Sequence, residues 1–266
     1  MSVKKWRLDV LLLEKGFFSS REKARAAIMA GRVFVDGECA DKPGRTVAES
    51  AALEVRGNPV PYVSRGGLKL EKAIRVFGLD LAGKVVLDIG ASTGGFTDCA
   101  LKHGAKLVYA VDVGYGQLAW TLREDPRVVV LERTNIRRLS AAALPERPDF
   151  VTVDVSFISL KLVLPKAGEL ARPGAEGVAL IKPQFEAGRE KVGKKGVVRD
   201  KAVHTGVIAS VAGSVIQMGW SVAGLDYSPV KGPEGNIEFL LYFKMGAGGC
   251  PVDIRTVVER AHAELA

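Results

Sequence analysis

Two lysines and two carboxylic acids stand far apart in the sequence, each beside an apolar run. Lys69 lies in Ser64-Arg65-Gly66-Gly67-Leu68-Lys69-Leu70, and Asp154 follows Phe150-Val151-Thr152-Val153. Lys182 lies in Leu180-Ile181-Lys182-Pro183, and Glu238 opens the last apolar run. Brought together, two amines and two carboxylates could hold and move a proton, because each charge shifts the pKa of its neighbours. A second set of candidates surrounds Asp88-Ile89-Gly90-Ala91-Ser92-Thr93-Gly94-Gly95-Phe96. Glycines let a backbone approach a ligand closely, and a helix starting there offers free N–H groups. The spacing Gly90 to Gly94-Gly95 departs from the G-x-G-x-x-G fingerprint of dinucleotide sites.

An acid inside that turn would sit badly beside a pyrophosphate. Asp88 suits a cationic amine instead, such as the amino-acid end of S-adenosylmethionine. Asp112, in Ala110-Val111-Asp112-Val113, can accept hydrogen bonds from both ribose hydroxyls of an adenosine. The expected cofactor contacts are Asp88, Gly90, Ser92, Gly94, Gly95 and Asp112, with Phe96 and Asn135 as further pocket candidates. This region resembles the class I S-adenosylmethionine-dependent methyltransferases. Members that modify base amino groups carry an Asn/Asp-Pro-Pro-aromatic motif, whereas this chain has Asp154-Val155-Ser156-Phe157. Carbon methylation needs a cysteine near the catalytic strands, and neither Cys99 nor Cys250 is so placed.

Lys69, Asp154, Lys182 and Glu238 resemble the Lys–Asp–Lys–Glu set of the FtsJ-type ribose 2′-O-methyltransferases. The resemblance implies that a ribose hydroxyl, a poor nucleophile, is activated by a positioned base. Lys182 is the expected base. Burial, Lys69 and the cofactor's positive charge would lower its pKa, while Asp154 and Glu238 would oppose that and orient it.

These residues need a frame. Apolar runs at 85–89, 107–113, 128–131, 150–155 and 178–181 predict strands buried on both faces. Helices are expected near 95–103, 117–123, 160–171 and 200–218. Runs at 221–227 and 237–244 are joined by a segment too short for a crossover, so this last pair should be antiparallel. The result is a doubly wound, Rossmann-like α/β sheet, mostly parallel with its last strand antiparallel, and ligands at the carboxyl ends. The expected organisation is a small α+β domain over 1–58, a linker at 59–64, the larger domain over 65–250 and a C-terminal helix in 251–266.

In the first domain, Leu8, Leu11 and Leu12 share a helical face, and Ser19-Ser20-Arg21-Glu22 has the form of a capping box. Val33-Phe34-Val35 reads as a strand, with Asp36-Gly37 as its hairpin turn. Arg7-Leu8-Asp9, Ser20-Arg21-Glu22-Lys23-Ala24 and Ala30-Gly31-Arg32-Val33-Phe34-Val35 resemble the S-four RNA-binding domain. Arg7, Arg21, Lys23, Arg25, Arg32 and Arg65 are the expected phosphate contacts there. Arg189, Lys194 and Lys195, in a glycine-rich basic segment, are expected to touch RNA near the catalytic site.

Adding Lys182-Pro183-Gln184-Phe185-Glu186 and Gly196-Val197-Val198-Arg199-Asp200, the chain resembles the TlyA family over nearly its whole length. That resemblance implies ribosomal RNA or ribosomal subunits as partner and a cytidine 2′-oxygen as acceptor; some members are labelled haemolysins. Composition is consistent with a nucleic-acid partner: 38 Lys+Arg against 30 Asp+Glu over 266 residues give a net charge of +8. No apolar run has the length of a signal-peptide core or a membrane span, and three scattered cysteines form no C-x-x-C pair. A cytoplasmic protein without a metal site is therefore expected. A non-catalytic RNA-binding or ribosome-assembly protein, a membrane-active protein and a nicotinamide oxidoreductase remain as rivals.

Overall fold

The computed structural model describes residues 4–18, 20–56, 61–193 and 195–265. They form two compact units, Met1–Gly67 and Leu68–Ala266.

The first unit opens with β1 (Lys5–Arg7) and α1 (Leu8–Glu14), followed by α2 (Arg21–Met29). Ser20 caps α2, its Oγ accepting the Lys23 N–H at 3.3 Å. The cap is thus one residue later than an S-x-x-E box beginning at Ser19, which lies outside the described residues. Three short strands follow, β2 (Val33–Val35), β3 (Glu38–Ala40) and β5 (Leu53–Val55), with β2 in the middle. Asp36 and Gly37 both take positive φ, +52° and +84°, the backbone of a type I′ turn, so the β2–β3 hairpin forms as its sequence predicts. The remaining strand, β4 (Thr46–Ala48), pairs antiparallel with β1, an arrangement the apolar pattern did not announce. Leu8, Leu11, Leu12, Ala27, Ile28 and Val33 make the core.

The second unit is a seven-stranded sheet. In chain order its elements are α3 (Gly66–Phe77, shared with the first unit), β6 (Val85–Ile89), α4 (Gly95–Lys102), β7 (Leu107–Val111), α5 (Trp120–Arg123), β8 (Val128–Leu131), β9 (Phe150–Val153), α6 (Leu164–Leu170), β10 (Glu176–Ile181), α7 (Pro183–Glu186), α8 (Lys201–Gln217), β11 (Ser221–Tyr227), β12 (Phe239–Lys244) and α9 (Ile254–Leu265). The strand order is β11-β12-β10-β9-β6-β7-β8, with β12 antiparallel to both neighbours and β10, β9, β6, β7 and β8 parallel to one another. The order reverses between β6 and β9, which places the ligand crevice of a doubly wound sheet at their carboxyl ends.

Differences from the sequence reading have local causes. The strand expected over 107–113 stops at Val111 because Asp112 turns away to bind backbone N–H groups. The helix expected over 160–171 splits into a tight turn, Leu160–Leu162, and α6, whose first turn carries Pro165. The helix expected over 117–123 keeps only α5, because Ala119 is extended. Val257, Val258 and Ala261 of α9 join the same core as β11 and α8.

Candidate active site

A cavity of about 430 Å³ lies at the carboxyl ends of β6, β7 and β9, a size suited to a nucleoside-like ligand. Gly90 forms part of its wall with φ +87°, and a Cβ there would stand 2.5 Å from the Asp154 carbonyl oxygen. The bare backbone lets the turns after β6 and β9 close on each other. Ser92 also lies in the left-handed region, and its N–H donates to Asp112 Oδ2 at 2.8 Å. The Gly114 N–H donates to Asp112 Oδ1 at 2.6 Å. A carboxylate has about four acceptor positions, so Asp112 keeps capacity for ligand hydroxyls on the cavity wall. Asn135 lines the same wall and caps the next turn by accepting the Arg137 N–H at 3.1 Å.

Four expected cofactor residues lie elsewhere. Asp88 is fully buried in β6, its oxygens accepting the hydroxyls of Thr97 at 2.6 Å and Thr152 at 2.9 Å. Burial pushes its carboxyl up to about 6, against the pull of those hydrogen bonds. Asp88 therefore fastens α4 and β9 to β6 and does not line the cavity, so a direct hold on a cationic amine is not what this geometry offers. Gly94 caps α4 at φ +95°, where any Cβ would strike Leu118 and Leu122. Gly95 and Phe96 are buried in α4, outside the cavity wall.

The four acid–base candidates form one chain of alternating charge. Glu238 Oε2 meets Lys69 Nζ at 2.7 Å, Lys69 Nζ lies 3.9 Å from Asp154 Oδ2, and Asp154 Oδ1 lies 2.6 Å from Lys182 Nζ. Lys69 comes from α3, Asp154 follows β9, Lys182 follows β10, and Glu238 precedes the antiparallel β12. Side-chain exposures of 10%, 19%, 11% and 1% place all four away from bulk solvent. Burial pushes the Asp154 carboxyl up, but the ammonium charges of Lys182 and Lys69, and a hydrogen bond from Lys182, hold it below the usual carboxylate range. Asp154 is also part of the cavity wall, so the chain reaches the ligand space at Asp154, the partner of Lys182.

Several neighbours escaped sequence reasoning. Ser156 Oγ accepts from Lys182 Nζ at 3.0 Å and lines the cavity. Phe157, at φ +64° and 91% exposed, also lines it and packs on Phe185 with ring centroids 4.9 Å apart. A bulky residue held exposed in the left-handed region marks a functional candidate. The sequence signal for Ser156 and Phe157 was their place in Asp154-Val155-Ser156-Phe157, where Phe157 stands at the aromatic position of a motif that lacks its prolines. One helical turn beyond Lys69, Lys72 pairs with Asp226 at 3.4 Å.

In the first unit, Asp9 is fully buried and organises two of the expected RNA contacts. Arg7 donates to it twice at 3.1 Å and Arg21 Nε donates at 2.9 Å, while each guanidinium stays about half exposed. Burial raises the Asp9 pKa, but these hydrogen bonds bring it below its ordinary value. Lys23 and Arg25 are exposed on α2. Arg32 Nε donates to the Arg56 carbonyl at 3.4 Å. Arg65 is more committed, paired with Asp41 at 2.5 Å. In the second unit, Arg189 and Lys195 are exposed; Lys194 lies outside the described residues.

The FtsJ-like methyltransferase family profile matches residues 62–245, and the S4 domain profile matches 6–53. A Bacillus subtilis protein named as an rRNA methyltransferase, YqxC, is 53% identical over 272 residues, covering 100% of this chain and 97% of its own. The Mycobacterium tuberculosis 16S/23S rRNA (cytidine-2′-O)-methyltransferase TlyA is 46% identical over 239 residues, covering 90% and 89%. The chain belongs to the TlyA family of FtsJ-like methyltransferases. The solved structure of a Streptococcus thermophilus family relative, named as a hemolysin, superposes with a TM-score of 0.79 at 47% identity, covering 99% of this chain and 98% of that one. Within this FtsJ-like framework the alternating charge chain and the cavity occupy the methyltransferase unit, and the arginine face occupies the S4 unit. Among the described residues, no group of three or more His, Cys, Asp or Glu could hold a metal, and no helix is long and apolar enough to cross a membrane.

Proposed function

We propose that this protein transfers a methyl group from S-adenosylmethionine to the 2′-oxygen of a cytidine in ribosomal RNA. The observation that carries the reading is the chain Glu238–Lys69–Asp154–Lys182 ending at a nucleoside-sized cavity. Asp112 would hold the adenosine ribose, and Gly90 and Ser92 would pass close along it. When bound, the cofactor supplies an electrophilic methyl on a sulfonium.

Lys182, held by Asp154 and Ser156, is aimed by two fixed partners. Once it has given up its own proton, its amine would take the hydroxyl proton of the acceptor ribose, whose oxygen would gain the methyl group as the sulfonium becomes a thioether. The charges balance. Before transfer, ionised Lys69, Asp154 and Glu238 sum to one negative charge, which complements the sulfonium. After transfer, protonated Lys182 makes the quartet neutral beside a neutral thioether. Lys69 helps keep Asp154 ionised and pairs with Glu238 without itself needing to reach the substrate. The arginine face of the S4 unit supplies sequence-independent phosphate contacts.

The test is transfer of labelled methyl to unmodified ribosomal subunits, with mapping of the modified nucleotide. Lys182→Ala should lower the rate by roughly 10²–10⁴-fold, the usual contribution of a positioned general base, while calorimetry shows cofactor binding retained. Wild-type protein that binds cofactor but labels neither subunit would defeat the proposal.

A further inference from the structure

A second cavity, of about 360 Å³, lies beside α7, lined by Gln184, Phe185, Gly188, Arg189 and Val192. We infer that it receives the base of the target nucleotide, with Phe185 against the base face and the Gln184 amide on its Watson–Crick edge. This rests on the ribose-methylation reading given above, because it starts from a ribose oxygen at Lys182.

The 2′-carbon is bonded to the carbon that carries the base, so a ribose held at Lys182 places its base within a few bonds of that amine. The larger cavity is reserved for the cofactor. Gln184 and Phe185 are the second and third residues after Lys182, on the short helix that the strand end feeds directly. The two cavities are joined by one aromatic pair: Phe157 lines the first, Phe185 lines the second, and their rings touch.

Gln184 Oε1 is buried without a hydrogen-bond partner. Folded proteins rarely leave such an acceptor unpaired, and one that persists at a site calls for an explanation. A primary amide offers a donor and an acceptor side by side, the complement of the N3 acceptor and exocyclic N4 amine of cytosine. Single-stranded bases are recognised in this way, by stacking on an aromatic and bonding along that edge. Glu186 makes the pocket rigid: it accepts from Ser159 Oγ and from the Leu160 N–H, each at 2.7 Å. The segment bearing Phe157 is thereby tied to the helix bearing Phe185. Arg189, exposed at the same cavity, is placed for an adjoining phosphate. Each side chain of Lys182-Gln184-Phe185-Glu186 then has a separate task.

The experiment compares two acceptors in reconstituted subunits: the mapped target cytidine, and a 2-pyrimidinone ribonucleoside that lacks only the exocyclic amine. Each is assayed for labelled-methyl transfer with wild type and with Gln184→Met, which keeps side-chain length without polar atoms. The expected result is a five- to tenfold lower rate for the amine-less acceptor, the size of one lost hydrogen bond, a larger loss for Gln184→Met, which removes both bonds, and little further loss when the two are combined. Wild type that treats the two acceptors alike, or losses that multiply, would overturn the inference while leaving cytidine methylation intact. Wild type that binds cofactor yet fails on the cytidine acceptor would overturn the parent reading and this one with it. The nucleotide change is read in unmodified protein, so the outcome does not depend on the variant folding.

Discussion

Lys69 Nζ and Glu238 Oε2 meet at 2.7 Å across 169 residues of sequence, with Glu238 almost wholly removed from solvent. A buried pair of this kind is strongly destabilised when one partner is lost, because the other is left charged and uncompensated. Lys69→Met should therefore cost roughly 3–5 kcal/mol in urea unfolding. The double variant Lys69→Met with Glu238→Leu should recover most of that stability and none of the methyl transfer. Recovery of both would mean that the pair only supports the fold.

Asp88 gives a pH signature. Its carboxyl is raised to about 6 by burial, from an ordinary 3.8, so the folded state binds its proton more readily than the unfolded state does. Its favourable contribution is present below about pH 4 and disappears as pH rises through 6. Above that, keeping it ionised costs on the order of 2–3 kcal/mol. Asp88→Asn should thus be more stable than wild type at pH 8, with the advantage shrinking toward pH 4. Urea midpoints at the two pH values decide this; an advantage independent of pH would assign the effect to something other than titration.

Gly90→Ala tests the closeness of two turns. A Cβ would sit 2.5 Å from the Asp154 carbonyl, on a backbone at φ +87°. The expected outcome is a loss of roughly 1–3 kcal/mol in stability together with weaker cofactor binding by calorimetry. Unchanged affinity would show that the turn can shift without disturbing the cavity.

Arg25 and Arg21 separate phosphate contact from structure. Arg25→Ala should weaken RNA binding and reduce the slope of log affinity against log salt by about 1, without altering the melting temperature. Arg21→Ala should do the same and also lower the melting temperature, because buried Asp9 loses one of its two cations. Equal melting temperatures for the two variants would remove Asp9 from the argument.

The sheet was legible because four of its parallel strands are buried on both faces and all five read as unbroken apolar runs, although the edge strand β8 is only half-buried. The Asp36-Gly37 turn was legible because few other dipeptides accept two positive φ values. The β1–β4 pair was not, since Lys5–Arg7 and Thr46–Ala48 are three-residue edge strands with no apolar stretch to announce them. Lys69, Asp154, Lys182 and Glu238 were read together through their resemblance to the FtsJ-type Lys–Asp–Lys–Glu set, and the fold brings them into contact. Asp88 could not be placed correctly: a carboxylate in a glycine turn looks like a ligand contact until Thr97 and Thr152 are seen to consume it. Phe157 stood in the sequence only as the aromatic end of a motif without its prolines. Its prominence comes from one backbone angle, and no residue pattern encodes that.

β12 runs against its neighbours, so it meets the reaction centre at its beginning, whereas β9 and β10 meet it at their ends. The walls of the larger cavity span residues 89–163, all made well before Glu238 emerges from the ribosome. In the order of synthesis, the residues of the cavity wall therefore precede the fourth charge of the quartet. The quartet is complete only once synthesis reaches the last strand of the sheet.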